Sequence, residues 1–167
     1  MHLHDRSGSS ITDSQVIELL GRNRLVDELL LAGLEVALPA RDRGVDLIAY
    51  ADLDETLGTF VARPIQMKAS SGEGFRLDRK YERFPDLLLA FVWHLQTPDE
   101  AVTFALSYVE VLAIADELGW TRTASWARGA YGTTRPSSRV RRLLEPHRMT
   151  ASRWRRKVLG LVDQPGT

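Results

Sequence analysis

The chain has 167 residues, 44% hydrophobic and 26% charged, which fits one compact globular domain and excludes disordered, collagenous and fibrous chains. It has no cysteine, so a disulfide scaffold, a cysteine-ligated metal site and a thiol nucleophile are excluded as well. The formal net charge is zero, yet residues 1–120 hold 11 basic and 20 acidic side chains while residues 121–167 hold 11 basic ones with only Glu145 and Asp163, so the neutral total conceals −9 against +9.

Residues 1–10 read as a polar leader without a signal-peptide pattern. The longest apolar run, residues 87–93, is seven long, where a membrane-spanning helix takes ~20, so a soluble, cytoplasmic protein is expected. An ordered start is predicted at Ile11, with Thr12 capping a helix, Gln15 reaching back to it, and Ile11 and Val16 forming a hydrophobic staple. The helix runs to about Ala32, with Val16, Leu19, Leu20, Val26 and Leu30 among its apolar positions, Leu25 and Leu29 on another side, and Gly33 as C-cap. Asn23 and Asp27 fall among these apolar positions and are candidates for polar groups aimed into a cleft.

Two strands follow, residues 34–38 and 45–50, then a third, residues 59–68, in which Pro64 predicts a bulge or a local edge. Residues 70–74 form a loop read as substrate-facing, residues 77–84 a short helix, and residues 87–95 and 102–108 buried strands. An amphipathic helix over 108–118 is closed by Gly119. The tail reads as two basic helices, 137–145 stopped by Pro146, and 150–161 with Trp154, Val158 and Leu161 on one stripe. The fold class is α+β, a mixed central sheet flanked by helices, divided into a leader 1–10, an α/β core 11–120 and a basic helical C-terminal segment 121–167 packed on the same domain.

The stretch richest in chemistry is Gly44-Val45-Asp46-Leu47-Ile48-Ala49 followed by Pro64-Ile65-Gln66-Met67-Lys68-Ala69-Ser70. A strand period of two sends Gln66 and Lys68 to one face and Ile65 and Met67 to the other. If the neighbouring strands pair, the Asp46 carboxylate approaches that polar pair. A carboxylate, an amide oxygen and an ammonium together are what a Mg²⁺-assisted hydrolase needs: oxygen ligands for a hard cation and a positive charge to orient water or steady developing charge. The competing reading makes Lys68 an edge-strand gatekeeper and Gln66 a solvent-facing strand residue. His2, His4, His94 and His147 show no metal-ligand spacing, and no serine sits in a nucleophile elbow.

Behind a capped helix and a strand, the same two segments resemble the PD-(D/E)xK nuclease superfamily, which includes restriction endonucleases and Holliday-junction resolvases. The likeness covers residues 13–70. It implies a restriction-endonuclease-like fold and Mg²⁺- or Mn²⁺-dependent hydrolysis of DNA phosphodiesters, with Asp46 as the metal-binding aspartate, Gln66 in the place usually held by Glu or Asp, and Lys68 as the motif lysine. It also implies a homodimer, since cutting two strands with one kind of site takes two subunits. Val45 stands where the family has proline, and Arg22 where many members carry a helix glutamate. Glu18, one turn before Arg22, points the same way and is the substitute metal ligand. Two functions stay open: a nuclease using Asp46, Gln66, Lys68 and Glu18, or a catalytically inactive nuclease-fold module that binds nucleic acid or a protein partner.

The basic tail is a second signal. Arg128, Arg135, Arg139, Arg142, Arg153 and Arg156 are its candidate nucleic-acid contacts, interleaved with Trp120, Trp126, Tyr131 and Trp154. Arginine suits bidentate phosphate contacts and stacking on bases. Pairing with the acidic first part of the same chain, or with that of a second copy, is the alternative use of this charge.

Overall fold

The structure, a computed structural model, describes residues 13–41, 43–51, 53 and 58–161. The leader, the Thr12 cap and the Ile11 staple lie outside the described residues. Helix α1 spans Ser14–Leu31, and Asp13 is its N-cap, accepting from the Gln15 N–H at 2.9 Å. Its buried face is Ile17, Gly21, Leu25 and Leu29, a spacing of four. Val16, Leu19 and Leu30, expected among the covered positions, are 37%, 54% and 49% exposed, and Asn23 and Asp27 lie on the exposed side rather than in a cleft. The reason is Gly21, which adds nothing to an apolar count yet marks the closest approach of the helix to the sheet. A Cβ there would come within 2.9 Å of both Ala69 Cβ and Met67 Sδ.

The strands are β1 (Glu35–Ala37), β2 (Leu47–Tyr50), β3 (Ala62–Ala69), β4 (Phe75–Asp78), β5 (Leu88–Trp93), β6 (Val102–Ser107) and β7 (Ala130–Thr133). Five form the central sheet in the order β1-β2-β3-β5-β6, and β4 pairs with β7 in a separate ladder. The central sheet is mixed: β3 and β5 are parallel, the other neighbours antiparallel. The architecture is therefore α+β, a mixed five-stranded sheet flanked by helices. Pro64 faces Ile48 of β2, while pairing with β5 begins one residue later at Ile65. The proline thus occupies a local edge, where no ladder partner asks for its missing N–H.

Helices α2 (Tyr108–Glu117), α3 (Ala124–Ala127), α4 (Ser138–Leu144) and α5 (Ala151–Leu159) complete the fold. The predicted helix over 77–84 is instead the end of β4 followed by a 3-10 turn, Arg79–Arg83. The tail, expected as helices, also contributes β7. Every residue of β5 is buried, as expected of a strand covered on both faces. One core layer packs Leu25, Leu29, Ile65 and Val92 against Trp154 and Val158 of α5; the other gathers Phe75, Phe91, Trp93 and Phe104 under Val111, Trp120 and Leu144. Leu161, predicted on the stripe of Trp154 and Val158, is 51% exposed, because α5 stops two residues before it with Gly160 in a left-handed conformation. Among the described residues no helix is long and apolar enough to cross a membrane.

Candidate functional site

Alternation along β3 places Ile65 and Met67 in the α1 layer. Gln66 and Lys68 register with Leu89 and Phe91, whose side chains belong to the opposite layer. Asp46 immediately precedes β2 and is 8% exposed. Its backbone N–H bonds to the Ile65 carbonyl at 2.8 Å, which draws its side chain to the far end of β3. There Asp46 Oδ2 accepts from the Met67 N–H at 2.6 Å and from Gln66 Nε2 at 2.7 Å. The close contact at Gly21 lays α1 across the same strand end and brings Glu18 over it. Glu18 of α1, Gln66 and Lys68 of β3, and Asp46 just before β2 line one cleft of about 330 Å³ together with Ser14, Met67 and Ala69.

Lys68 and Glu18, like Asp46 and Gln66, have partners. Lys68 Nζ bonds to Tyr81 Oη at 3.0 Å and lies 5.4 Å from the centroid of its ring. Tyr81 is 4% exposed and sits in the 3-10 turn after β4, a position that only the β4 geometry reveals. Glu18 pairs with Arg22 at 3.0 Å. Arg22 also borders Asp46 from the side of Leu38 and Pro39, and its Nε is buried without a hydrogen-bond partner among the described residues. Arginine at the expected glutamate position thus answers the charge of Glu18.

Two carboxylates and a carboxamide oxygen are hard donors of the kind Mg²⁺ takes. The set fits such an ion in kind once the Gln66 amide turns to present Oε1, since its nitrogen now points at Asp46. Among the described residues no group of three or more His, Asp or Glu side chains is placed to hold a metal, so a ligand set here depends on Gln66.

Lys68 and Ala69 also line a second, larger groove of about 780 Å³ between the 70–74 loop and the β4–β7 ladder. Its carboxylate, Glu73, receives a bidentate pair from Arg141, Nη2 at 2.7 Å, and lies 3.3 Å from His94 Nε2. The Arg141 hydrogen bond, opposed by burial, holds Glu73 below the usual carboxylate range.

The six candidate arginines of the tail are spread over different elements. Arg135 follows β7 beside the groove, its N–H bonded to Thr133 Oγ1 at 3.0 Å. Arg142 is exposed on α4, Arg128 donates to Ser125 Oγ at 3.2 Å, and Arg139 reaches Glu117 Oε1 at 3.6 Å. Arg153 and Arg156 line a third pocket, about 470 Å³, with Glu110, His147 and Lys157. That pocket lies toward the other end of β3, where Arg63 Nε meets the Val158 carbonyl at 3.3 Å; Arg63 and Lys68, five residues apart on one strand, are separated by roughly 16 Å. Some tail charge is spent inside the molecule, as Arg141–Glu73, Arg139–Glu117 and Lys157–Glu110 show.

Set against known proteins, the chain matches no family model, no curated protein and no solved structure.

Proposed function

We propose that this chain is a divalent-cation-dependent hydrolase of DNA phosphodiesters, restriction-endonuclease-like in its core, acting in the cytoplasm as a homodimer. The observation that carries the reading is the meeting of Asp46, Gln66, Lys68 and Glu18 in one cleft at the end of β3. Asp46, Gln66 Oε1 and Glu18 would hold Mg²⁺ or Mn²⁺, which when bound supplies a Lewis acid for a phosphoryl oxygen and a more acidic water. Asp46 is kept in place by the Met67 N–H, so its orientation does not depend on a mobile partner. Lys68 is steadied by a neutral phenol rather than by a carboxylate. Its positive charge therefore stays available to a phosphate oxygen, and its remaining N–H groups can orient the attacking water.

The test is cleavage of plasmid and oligonucleotide DNA with Mg²⁺ or Mn²⁺, and with chelator as blank. Asp46→Ala should lower the rate at least a hundredfold; an Asp46→Ala protein that cuts as fast as the parent overturns the reading. The Arg22–Glu18 pair favours a second reading, a nuclease-fold module that grips nucleic acid without cutting it. Tight binding in chelator with no metal-dependent cleavage selects that one.

A further inference from the structure

The groove beside Lys68 has features that the cleft chemistry does not use. Arg76 is exposed on β4 between the buried Phe75 and Leu77. It faces Gly132 of β7 across the ladder. A Cβ on Gly132 would lie 2.7 Å from Arg76 Cβ and 2.9 Å from its Cα, so glycine at this position leaves room for the arginine stem. Phe75 and Phe91, ring centroids 5.0 Å apart, form a rigid floor. Ser71, Thr133 and Thr134 offer hydroxyl groups along the walls. The one carboxylate of the lining, Glu73, is already engaged by Arg141 and His94, so it leaves Lys68 and Arg76 to set the sign of the groove.

We propose that this groove holds a single strand of nucleic acid flanking the phosphate in the Lys68 cleft, with Arg76 clamping a neighbouring backbone phosphate. The inference rests on the reading of that cleft as a phosphodiester site. Continuity supports it, since Lys68 and Ala69 line both spaces and the larger groove gives a polymer seated in the cleft a way out. A space of this size encloses a drug-sized ligand, so it admits one strand rather than a duplex. Guanidinium geometry matches a phosphate in two-point contact.

Fluorescence anisotropy of a labelled single-stranded 12-mer, in chelator and over a salt series, tests this without cleavage. Arg76→Ala should weaken binding about tenfold and reduce the slope of log affinity against log salt by about 0.7, the loss of one phosphate contact. Arg148→Ala, the same charge change at a residue that pairs with Glu145 and lines neither the groove nor the cleft, should cost less than threefold. Equal losses for the two variants, or an unchanged slope for Arg76→Ala, would overturn the proposal. The underlying cleft reading fails separately: if the parent binds through Arg76 but never cuts with Mg²⁺ or Mn²⁺, the groove stands and the hydrolase falls. If the parent cuts in an Asp46-dependent way while Arg76→Ala binds and cuts normally, the groove falls alone.

Discussion

Two regions of this molecule hold a lysine close to a carboxylate, and they use the pair in opposite ways. In the third pocket Lys157 Nζ bonds directly to Glu110, 2.6 and 2.5 Å from its two oxygens. Glu110 also completes the capping box of α2 with Ser107. Burial opposes its ionisation, but the Lys157 and Ser107 hydrogen bonds outweigh that and hold its carboxyl below the ordinary range. In the cleft at the end of β3, Lys68 bonds to a phenol and Asp46 accepts from an amide and a backbone N–H. The first arrangement spends opposite charges on each other and fastens α5 to α2. In the second, Lys68 and Asp46 make hydrogen bonds to neutral groups, while the carboxylate answered by a cation is Glu18, through Arg22. The two regions differ in what the lysine meets, a carboxylate in one and a phenol in the other.

That contrast can be broken most sharply at the two lysines. Lys68→Met should lower DNA cleavage at least a hundredfold, about 2.7 kcal/mol of transition-state stabilisation, while the melting temperature falls by only about 2–4 °C, because Lys68 makes no ion pair among the described residues and only its hydrogen bond to the buried Tyr81 hydroxyl is lost. Lys157→Met should do the reverse. It leaves Glu110 half-buried without its cation and costs about 1–2 kcal/mol, short of the value for a fully buried pair because Glu110 keeps 35% of its side-chain exposure, and cleavage should persist. A thermal melt and a cleavage assay on both variants decide the matter; swapped phenotypes would abolish the distinction.

The smallest effect concerns pH. Burial, reinforced by Lys157 and Arg153 and opposed by Glu110, pushes His147 below the usual imidazole range. The unfolded chain therefore takes up a proton first, so stability is complete above pH ~6.5 and declines as pH falls through the folded value. His147→Gln should remove that decline and leave the later loss, below the ordinary carboxylate range, where Glu110 protonates. Melting curves of parent and variant should run in step near pH 7.5 and separate as pH falls below about 6.5, the parent dropping relative to the variant. A constant gap across that range would sink it.

Much of this was legible in the residues because it is local. The first helix, though capped by Asp13 rather than the expected Thr12, the strands flanking Asp46 and Lys68, the buried run of β5 and the helix closed by Gly119 follow from periodicity and turn chemistry over short windows. The convergence of Asp46 on Gln66 and Lys68 needed only pairing between neighbouring strands. The β4–β7 ladder was not legible: each strand has four residues, one resembles the start of a helix and the other contains Gly132, and their partners lie more than fifty positions apart. Tyr81 and Arg76 depend on that ladder and were hidden with it. The true face of α1 was hidden too, because a glycine marks its tightest contact. The orientation of the Gln66 amide and the Arg22–Glu18 pair are side-chain choices that spacing does not determine.

Glu28, in the last turn of α1, gathers hydrogen bonds from Thr103 Oγ1 at 2.8 Å and Trp154 Nε1 at 2.9 Å. The second of these joins residues 126 positions apart. Contacts of that span form late, after the intervening chain has closed. On a ribosome, α1 and the strands beneath it would emerge long before the tryptophan that braces them. The cleft bordered by the N-terminal end of α1 would therefore stay loose through most of synthesis and become firm only once α5 is free to dock.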